Sequence, residues 1–281
     1  MITSKAKMAI IYDFDGTLAP GNMQEYNFLP DLQITPSKFW AEVKALSKKH
    51  NADEILMYLF LTLKKAQEKD ISVHRTTFNS YGSKITYFPG VEDWFKNVNS
   101  YAKSKGIIVE HYIISSGLFE MIEGTKIFNK FKMVFASSFL YNADNIAMGP
   151  SLAMNYTAKT QFIFRINKGI FNVYDNTQIN KFVREEERYI PFQNMIYVGD
   201  GETDVPCMSL VKSKGGFSIA VYKKKTKGAK DKAIKLFSDG RVNAVAPADY
   251  TNSEKLYDLV KTIIDKEAAT VNLQKQVNDL R

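Results

Sequence analysis

The stretch that decides the fold is Met8–Leu18, MAIIYDFDGTL. Its first five residues are an apolar run with two β-branched isoleucines, which predicts a strand buried on both faces of a sheet. Asp13 and Asp15 follow at i and i+2, so on an extended segment their carboxylates point the same way. Gly16 then permits a sharp turn. Unpaired carboxylates at the tip of a buried strand are costly, and a divalent cation would offset that cost, although a plain acidic turn is the alternative.

The composition is that of an ordinary globular protein, with 281 residues, 45% of them hydrophobic and 24% charged. No apolar run approaches the ~20 residues that span a bilayer. The N-terminal MITSKAKMAI lacks the long apolar region of a secretory signal. Cys207 is the single cysteine, so no intrachain disulfide can form. These features predict a cytoplasmic protein without a membrane partner.

The chain is basic, with a formal net charge of +8. Its densest basic run, residues 222–228 (YKKKTKG), is short and predicts a solvated loop rather than a nucleic-acid surface. A basic surface would also draw in small anionic substrates. The charge therefore favours a small anionic partner over nucleic acid, and it leaves the oligomeric state open.

Residues 19–87 have a different pattern from the rest of the chain and predict a small all-helical insert of two to four helices. Apolar and aromatic residues recur there at helical spacing, and they are interpreted as the insert's own core. The start and stop signals are Thr35-Pro36 for the first helix, Asn51 with Glu54 as a capping box for the second, and Ser72 with Gly82 as the start and end of the third.

Two serines and a lysine lie at the predicted ends of later strands and helices. Ser115 and Ser116 follow the apolar strand predicted over residues 107–114. A hydroxyl there either binds a phosphate oxygen or merely caps the next helix. Lys159 lies in the first turn of a predicted helix, where a cation opposes the helix dipole. That mismatch is compatible with an anionic partner or with a surface lysine.

A second acidic strand end follows the apolar strand predicted over residues 195–198. Asp200 and Asp204 are separated by three residues around a glycine-rich turn, in the sequence GDGETD. Like Asp13 and Asp15, they are oxygen ligands at the end of a buried strand.

After the insert, strands alternate with helices, which predicts an α/β fold with a doubly wound parallel sheet and helices on both faces. In such sheets the ligand site lies at the carboxyl ends of the strands, where all the residues above are expected. The chain is predicted to finish with an edge strand over 243–246, a helix over 253–268, and a tail from Thr270 that frays or packs on a neighbour.

Together these stretches resemble the haloacid dehalogenase (HAD) superfamily of hydrolases, in its phosphoserine phosphatase-like branch. DFDGTL resembles the first motif of that family, Ser115 in IISSG the second, and GDGETD the fourth. Lys159 resembles the third motif, with Lys168 as a rival. The resemblance implies a Rossmann-like core made of residues 1–18 and 88–281. It also implies that residues 19–87 form a helical cap of the first type.

The resemblance also implies the chemistry. Asp13 would attack phosphorus and form an aspartyl phosphate, and Asp15 would protonate the leaving group and later activate water. An aspartate at position 15 is typical of the family's phosphatases and phosphomutases, not of its dehalogenases. The implied Mg²⁺ ligands are Asp13, Asp15, Asp200 and Asp204. The implied phosphate-binding residues are Gly16, Thr17, Ser115, Ser116 and Lys159.

The function predicted from the sequence is therefore a Mg²⁺-dependent phosphatase that hydrolyses a small phosphorylated metabolite. A phosphomutase on the same scaffold is an alternative. A non-catalytic anion- or nucleic-acid-binding protein is less favoured, because four carboxylates in the cleft would repel a polyanion. The chain departs from the phosphoserine phosphatase-like branch at Gly16, where that branch usually has serine. The insert also lacks a clear acidic and arginine pair to hold the charged ends of an amino acid, so the substrate stays open.

Overall fold

The computed structural model describes residues 6–278, and it confirms the predicted α/β fold with a mostly parallel sheet. The strands are β1 (Lys7–Tyr12), β2 (Ile108–Leu118), β3 (Met133–Tyr141), β4 (Ala147–Leu152), β5 (Met195–Gly199), β6 (Phe217–Tyr222) and β7 (Ala244–Pro247). They form one sheet in the order β4-β3-β2-β1-β5-β6-β7. All neighbours pair in parallel except β3 and β4, which form an antiparallel hairpin at one edge.

β1 lies in the middle of the sheet, between β2 and β5. Its residues alternate between two hydrophobic cores, one on each face. Ile10 and Tyr12 belong to the first core, and Ala9 and Ile11 belong to the second. All four are 0% exposed. Burying such a side chain contributes about 1.5–3 kcal/mol for the larger ones, which is why this short apolar run fixes the centre of the fold.

Helices cover both faces of the sheet. They are α1 (Phe28–Asp31), α2 (Pro36–His50), α3 (Glu54–Glu68), α4 (Arg75–Gly82), α5 (Val91–Ser104), α6 (Phe119–Glu123), α7 (Ala158–Lys168), α8 (Asn176–Asn180), α9 (Val205–Ser213), α10 (Ala229–Ser238) and α11 (Lys255–Asn278). Single 3-10 turns occur at Met23–Glu25, Phe128–Lys130, Glu185–Glu187, Phe192–Asn194 and Glu202–Asp204. The first core contains the apolar faces of α5 and α11, and the second core contains those of α7 and α9.

The segment between β1 and α5 is helical, as predicted, and contains α1 to α4. Its apolar side chains join the first core instead of forming a separate one. α4 crosses α6 closely at two glycines. A Cβ on Gly82 would lie 1.8 Å from the carbonyl oxygen of Met121, and a Cβ on Gly124 would lie 1.9 Å from that of Asn79. Gly82 is therefore needed for this crossing as well as standing at the end of α4.

The predicted capping box at the start of the second long insert helix is wrong. α3 begins after Asp53, whose Oδ1 accepts a 2.9 Å hydrogen bond from the Leu56 amide. Asn51 instead ends α2 in the left-handed conformation, with φ at 48°. Aspartate and asparagine are equally good N-caps, but asparagine also tolerates the left-handed C-terminal position. In the short α2–α3 connection, Asn51 therefore ends α2 and Asp53 caps α3.

α4 likewise begins after His74 rather than Ser72. His74 Nδ1 accepts a 3.2 Å hydrogen bond from the Thr76 amide, and Ser72 Oγ accepts one of 3.2 Å from the His74 amide. Ser72 therefore stabilises the turn that precedes the helix, and the histidine ring takes the capping position.

Two element ends lie beyond their predicted positions. β2 continues past residue 114 to Leu118, with Ser115 paired to Ala136 of β3 and a register shift between Ser115 and Leu118. The last helix continues to Asn278, so the predicted fraying from Thr270 is wrong. No glycine or proline interrupts α11, and the run from Leu273 to Gln276 consists of good helix formers. Within residues 6–278, no helix combines the length and the apolar character needed to cross a bilayer.

Candidate active site

Two acidic segments meet because β1 and β5 are adjacent and parallel. Tyr12 is in register with Val198, and the Asp13 amide donates a 3.0 Å hydrogen bond to the Val198 carbonyl oxygen. Asp13 thus leaves β1 beside the point where β5 ends and Asp200 begins the next turn. The site lies at the carboxyl edge of the central strands, where open α/β sheets bind their ligands.

The carboxylates of Asp13, Asp200 and Asp204 form one cluster. One oxygen from each lies within 4.8 Å of the others. Asp13 is 5% exposed and Asp204 is 0% exposed, whereas Asp200 is partly open to the cleft. Asp204 closes the 3-10 turn Glu202–Asp204 and immediately precedes α9, which holds it under the sheet edge.

Lys159 is the buried cation of this cluster. Its Nζ donates a 2.8 Å hydrogen bond to Asp204 Oδ1 and lies 3.1 Å from Asp13 Oδ1, and the residue is 0% exposed. The Tyr197 hydroxyl donates a second 2.8 Å hydrogen bond to the same Asp204 oxygen. Burial alone would lower the pKa of Lys159, but the Asp13 and Asp204 carboxylates outweigh that effect and raise it. Lys159 is therefore charged.

Lys168, the rival lysine, lies in a different environment. Its Nζ donates to the carbonyl oxygens of Ile179 and Lys181, at 2.5 and 2.7 Å. The structure brings Lys159 to Asp13, whereas Lys168 binds the C-terminal end of α8.

One lysine does not compensate the acidic cluster. Among residues 6–278, Asp204 Oδ2 is buried without a hydrogen-bond partner, and Asp13 Oδ1 has only its ion pair with Lys159. Burial, and then the Asp204 charge, raise the pKa of Asp13 to about 6. Burial, and then Asp204 and Asp13, raise the pKa of Asp200 well above its usual value. Three carboxylate oxygens at this spacing, from Asp13, Asp200 and Asp204, fit a Mg²⁺ ion. Such an ion would relieve the repulsion between the carboxylates.

Asp15 points toward the insert. Its Oδ1 accepts a 2.9 Å hydrogen bond from the Met23 amide, which fixes the carboxyl group above the strand end. Burial, and then the Asp13 charge, raise the pKa of Asp15 well above its usual value. A carboxyl group with a raised pKa holds its proton to a higher pH than an ordinary aspartate, which suits donation to a leaving oxygen.

Gly16 is required by the approach of Asp200. Its φ is +74°, a left-handed value that favours glycine, and a Cβ would lie 2.2 Å from Asp200 Oδ2. A serine at position 16 would displace that carboxylate in this arrangement. The departure from the serine that is usual in the phosphoserine phosphatase-like branch therefore has a local physical reason.

The predicted hydroxyl residues lie at the cleft in different ways. Ser115 is buried, and its Oγ accepts a 3.0 Å hydrogen bond from the Gly117 amide. Ser116 donates from Oγ to the Met154 carbonyl oxygen at 2.7 Å. Both serines, together with Gly16, line the cavity above Asp13. Thr17 and Lys159 are both fully buried and are not among the residues that line it, so the structure places both side chains beneath the cavity floor, with Lys159 in contact with Asp13.

The cavity above the acidic cluster has a volume of about 730 Å³. Its walls come from both the core and the helical insert. Tyr58 of α3 donates a 3.3 Å hydrogen bond to the Ser116 carbonyl oxygen, and Asn155 Nδ2 donates one of 2.9 Å to Asp53 Oδ2. The insert residues that line the cavity include Gln24, Trp40, Lys44, Glu54, Ile55 and Tyr58.

The sequence analysis missed the contribution of the basic run 222–228. The lysines of this run are exposed, as predicted for a solvated loop, but Lys223 and Lys227 also line the cavity. β6 is parallel to β5, so the segment that follows Tyr222 emerges beside Asp200. The parallel order of β5 and β6 is the signal that could have placed these lysines at the site.

Comparison with known proteins agrees with this geometry. Residues 10–209 match the model of the haloacid dehalogenase-like hydrolase family. An uncharacterized protein of Borreliella burgdorferi is 32% identical, over an alignment that covers 90% of this chain and 95% of that protein.

Solved structures share the fold. A HAD family hydrolase from Salmonella enterica subsp. enterica serovar Typhi has a TM-score of 0.57 at 16% identity, over 91% of this chain and 70% of that one. A phospho-aspartyl intermediate analogue of phosphoserine phosphatase has a TM-score of 0.53 at 17% identity, over 92% of this chain and 99% of that one. These two structures show a common architecture.

Proposed function

Because this chain belongs to the haloacid dehalogenase-like hydrolase family, we propose that it is a Mg²⁺-dependent phosphatase acting through an aspartyl phosphate on Asp13. Its substrate is a small phosphorylated metabolite. The observation that carries the proposal is the buried Lys159, 3.1 Å from Asp13 and 2.8 Å from Asp204. A carboxylate nucleophile beside a fixed cation, at the floor of a cleft, suits attack on a phosphoryl group.

The reaction has two balanced steps. The Asp13 carboxylate attacks phosphorus, the bond from phosphorus to the ester oxygen breaks, and Asp15 gives its proton to that oxygen. Asp15, now ionised, takes a proton from water as the water attacks the phosphoaspartate, and phosphate leaves with Asp13 restored. The raised pKa of Asp15 supports its role as the acid of the first step.

The metal would be held by the Asp13 and Asp200 carboxylates and the Asp15 backbone carbonyl, with Asp204 bound directly or through water. Mg²⁺ bound there supplies positive charge that neutralises phosphoryl oxygens and orients them for in-line attack. Asp204 Oδ2, which is buried without a hydrogen-bond partner, and Asp13 Oδ1, which has only its ion pair with Lys159, support this ligand set.

The phosphoryl oxygens would be held by Lys159 and Ser115, with Ser116 and the backbone at Gly16 beside them. Lys159 is rigid because both of its acidic partners are buried. A fixed cation loses little conformational entropy when the phosphoryl group binds, which favours the transition state over a solvated lysine. Thr17 takes a supporting part, since its carbonyl oxygen accepts a 2.8 Å hydrogen bond from Tyr250.

Residues 19–87 would act as a cap that sets the substrate range, on a core formed by residues 1–18 and 88–281. The insert is joined to the core by two segments, and α4 is fastened to the core by the Arg75–Glu123 ion pair and by its close crossing with α6. At the cleft itself, the α2–α3 pair meets the core through single hydrogen bonds. Asp53 to Asn155 and Tyr58 to Ser116 are two of them. These two bonds at the cleft break at low cost, so the α2–α3 part of the cap would open for substrate and close to exclude water, while α4 stays on the core.

The test is phosphate release from 4-nitrophenyl phosphate and from a panel of phosphorylated metabolites, with and without Mg²⁺. Asp13→Asn should lose at least about a thousandfold of the activity, because a neutral amide does not attack phosphorus. Asp144→Asn removes an exposed aspartate in the β3–β4 turn and serves as the matched control. Mg²⁺-dependent turnover that survives in pure Asp13→Asn would overturn the proposal.

A further inference from the structure

Four lysines surround the mouth of the active-site cavity. They come from two distant parts of the chain, and we refer to them as the rim lysines: Lys44, Lys223, Lys227 and Lys232. Each is exposed. Within residues 6–278, none of them makes an ion pair or a side-chain hydrogen bond. Their positive charge is therefore available to a ligand.

The loop that carries Lys223 and Lys227 is held in place by a different lysine. Lys224 Nζ lies 2.8 Å from Asp249 Oδ2 and 3.2 Å from Glu254 Oε1. The chain thus uses one lysine of the run to fasten the loop to the core. Lys223 and Lys227 of the same run are left facing the cavity.

Charge is separated between the floor and the rim of the cavity. The floor holds Asp13, Asp15 and Asp200, which Lys159 and a bound Mg²⁺ would offset together with the phosphoryl group. Among the cavity-lining residues within 6–278, Glu54 is the one acidic residue that does not belong to the floor. It lies in the first turn of α3, where a carboxylate complements the helix dipole. The rim therefore has an excess of positive charge that the reacting phosphate does not use.

Between the acidic floor and the basic rim, the wall of the cavity is largely apolar. Trp40, Ile55, Tyr58 and Tyr156 line the cavity beside the floor. Trp40 is held by a 2.9 Å hydrogen bond from its Nε1 to Glu25 Oε1. A volume of about 730 Å³ lies within the range of pockets that enclose whole organic ligands, so it accommodates more than a phosphoryl group.

We infer that the substrate is a phosphate monoester whose alcohol part carries a second anionic group, a carboxylate or a phosphate, which the rim lysines bind. The scissile phosphoryl group lies on the floor, the body of the molecule packs on Trp40 and its neighbours, and the second anion lies at the rim. This inference rests on the proposed function, since that function places the scissile phosphoryl group at Asp13. Lysines converging from two segments of the chain recognise charge without fixing a planar geometry, so they accept either anion.

The test uses two non-hydrolysable probes of equal shape, (4-carboxybenzyl)phosphonate and (4-carbamoylbenzyl)phosphonate. Their binding to the Mg²⁺-loaded protein is measured by calorimetry. The acid should bind roughly tenfold more tightly than the amide, because several exposed lysines each contribute modestly, and the preference should shrink as salt is added. Lys227→Gln/Lys232→Gln should bring the two affinities close together.

Lys225→Gln/Lys230→Gln is the matched control, because it removes two exposed lysines of the same segment that are not among the lining residues. This control should keep the preference for the acid over the amide. Both double variants lose two positive charges, so the long-range attraction of anionic probes falls equally in the two. Equal affinities in the unaltered protein, or an equal loss in both variants, would overturn the inference.

Turnover separates this inference from the proposed function. If 4-carboxyphenyl phosphate and 4-carbamoylphenyl phosphate are both hydrolysed at the same rate, and the phosphonates bind equally, the phosphatase proposal stands and the second-anion inference fails. If the acidic phosphonate is preferred but no ester is hydrolysed, the rim site stands and the phosphatase proposal fails.

Discussion

The Lys159 ammonium lies 3.1 Å from the Asp13 carboxylate, and both side chains are almost fully buried. Buried charges are stable only when they are paired, and this lysine is shared with Asp204. The site therefore holds more negative than positive charge before any ligand arrives. That imbalance is the physical basis for expecting both a cation and a phosphoryl group here.

The position of Lys159 predicts a difference between two lysines of one helix. Lys159→Met should lower kcat at least about a hundredfold, because it removes a fixed charge next to the phosphoryl group. Lys168→Met should leave kcat near the unaltered value, since Lys168 contacts backbone carbonyls elsewhere. Lys159→Arg keeps the charge and provides a folded comparison should the methionine variant be unstable. A fully active Lys159→Met would remove Lys159 from the mechanism.

The acidic cluster predicts a metal requirement. EDTA should abolish activity and Mg²⁺ should restore it. Asp200→Asn should raise the Mg²⁺ concentration that gives half-maximal activity at least about tenfold, because one charged oxygen ligand becomes neutral. Glu202→Gln removes an exposed carboxylate two residues away and should not change it. Activity that is indifferent to the chelator would contradict the metal assignment.

The insert predicts substrate selectivity through its apolar wall. Trp40→Leu should change the ratio of kcat/KM between aromatic and aliphatic phosphate esters by roughly tenfold, because the ring lines the part of the cavity where the body of the substrate would lie. Phe60→Leu alters an aromatic residue of the same insert that is 51% exposed and does not line the cavity. The same change in both variants would mean that the insert acts through its stability and not as a cap.

His111 predicts a loss of stability in acid. It is 2% exposed, its Nδ1 lies 2.9 Å from the Tyr12 hydroxyl, and its Nε2 lies 3.0 Å from Asn99 Oδ1. Burial lowers the pKa of His111 to about 3. Between that value and the unfolded value near 6.5, the unfolded chain binds the extra proton, so stability falls as pH falls through this window.

The contribution of His111 should amount to about 2 kcal/mol of unfolding free energy between pH 7.5 and pH 5.0. Urea denaturation at the two pH values measures it. His111→Gln should lose that part of the pH dependence, and the exposed His50→Asn should retain it. Equal pH dependence in all three proteins would show that His111 does not carry this effect.

The strands and the acidic strand ends were predictable because their signals are local. An apolar run followed by carboxylates needs only the burial rule to place Asp13, and the same holds for Asp200 after β5. The alternation of strands and helices then fixes which end of the sheet carries the site. The predicted helix starts at Asn51 and Ser72 were wrong. Several residues near each start can occupy the N-cap position, and the conformation of the preceding connection decides which of them does.

The choice between Lys159 and Lys168 could not be made from the sequence, because both lie on α7 and only packing sets which one turns toward Asp13. Lys223 and Lys227 were missed for a related reason. A run of lysines has the pattern of a solvated loop whatever lies opposite it. The parallel pairing of β5 and β6 brings that loop to the cavity.

The central claim is that Asp13 is phosphorylated during turnover, and trapping tests it most directly. The Mg²⁺-loaded enzyme is mixed with a substrate found in the phosphatase screen, quenched in acid within one turnover, and reduced with borohydride, which converts an aspartyl phosphate to homoserine. Peptide mass spectrometry should find homoserine at position 13, and Asp13→Asn should yield none. Turnover that leaves position 13 unmarked, or that marks another carboxylate, would contradict the account.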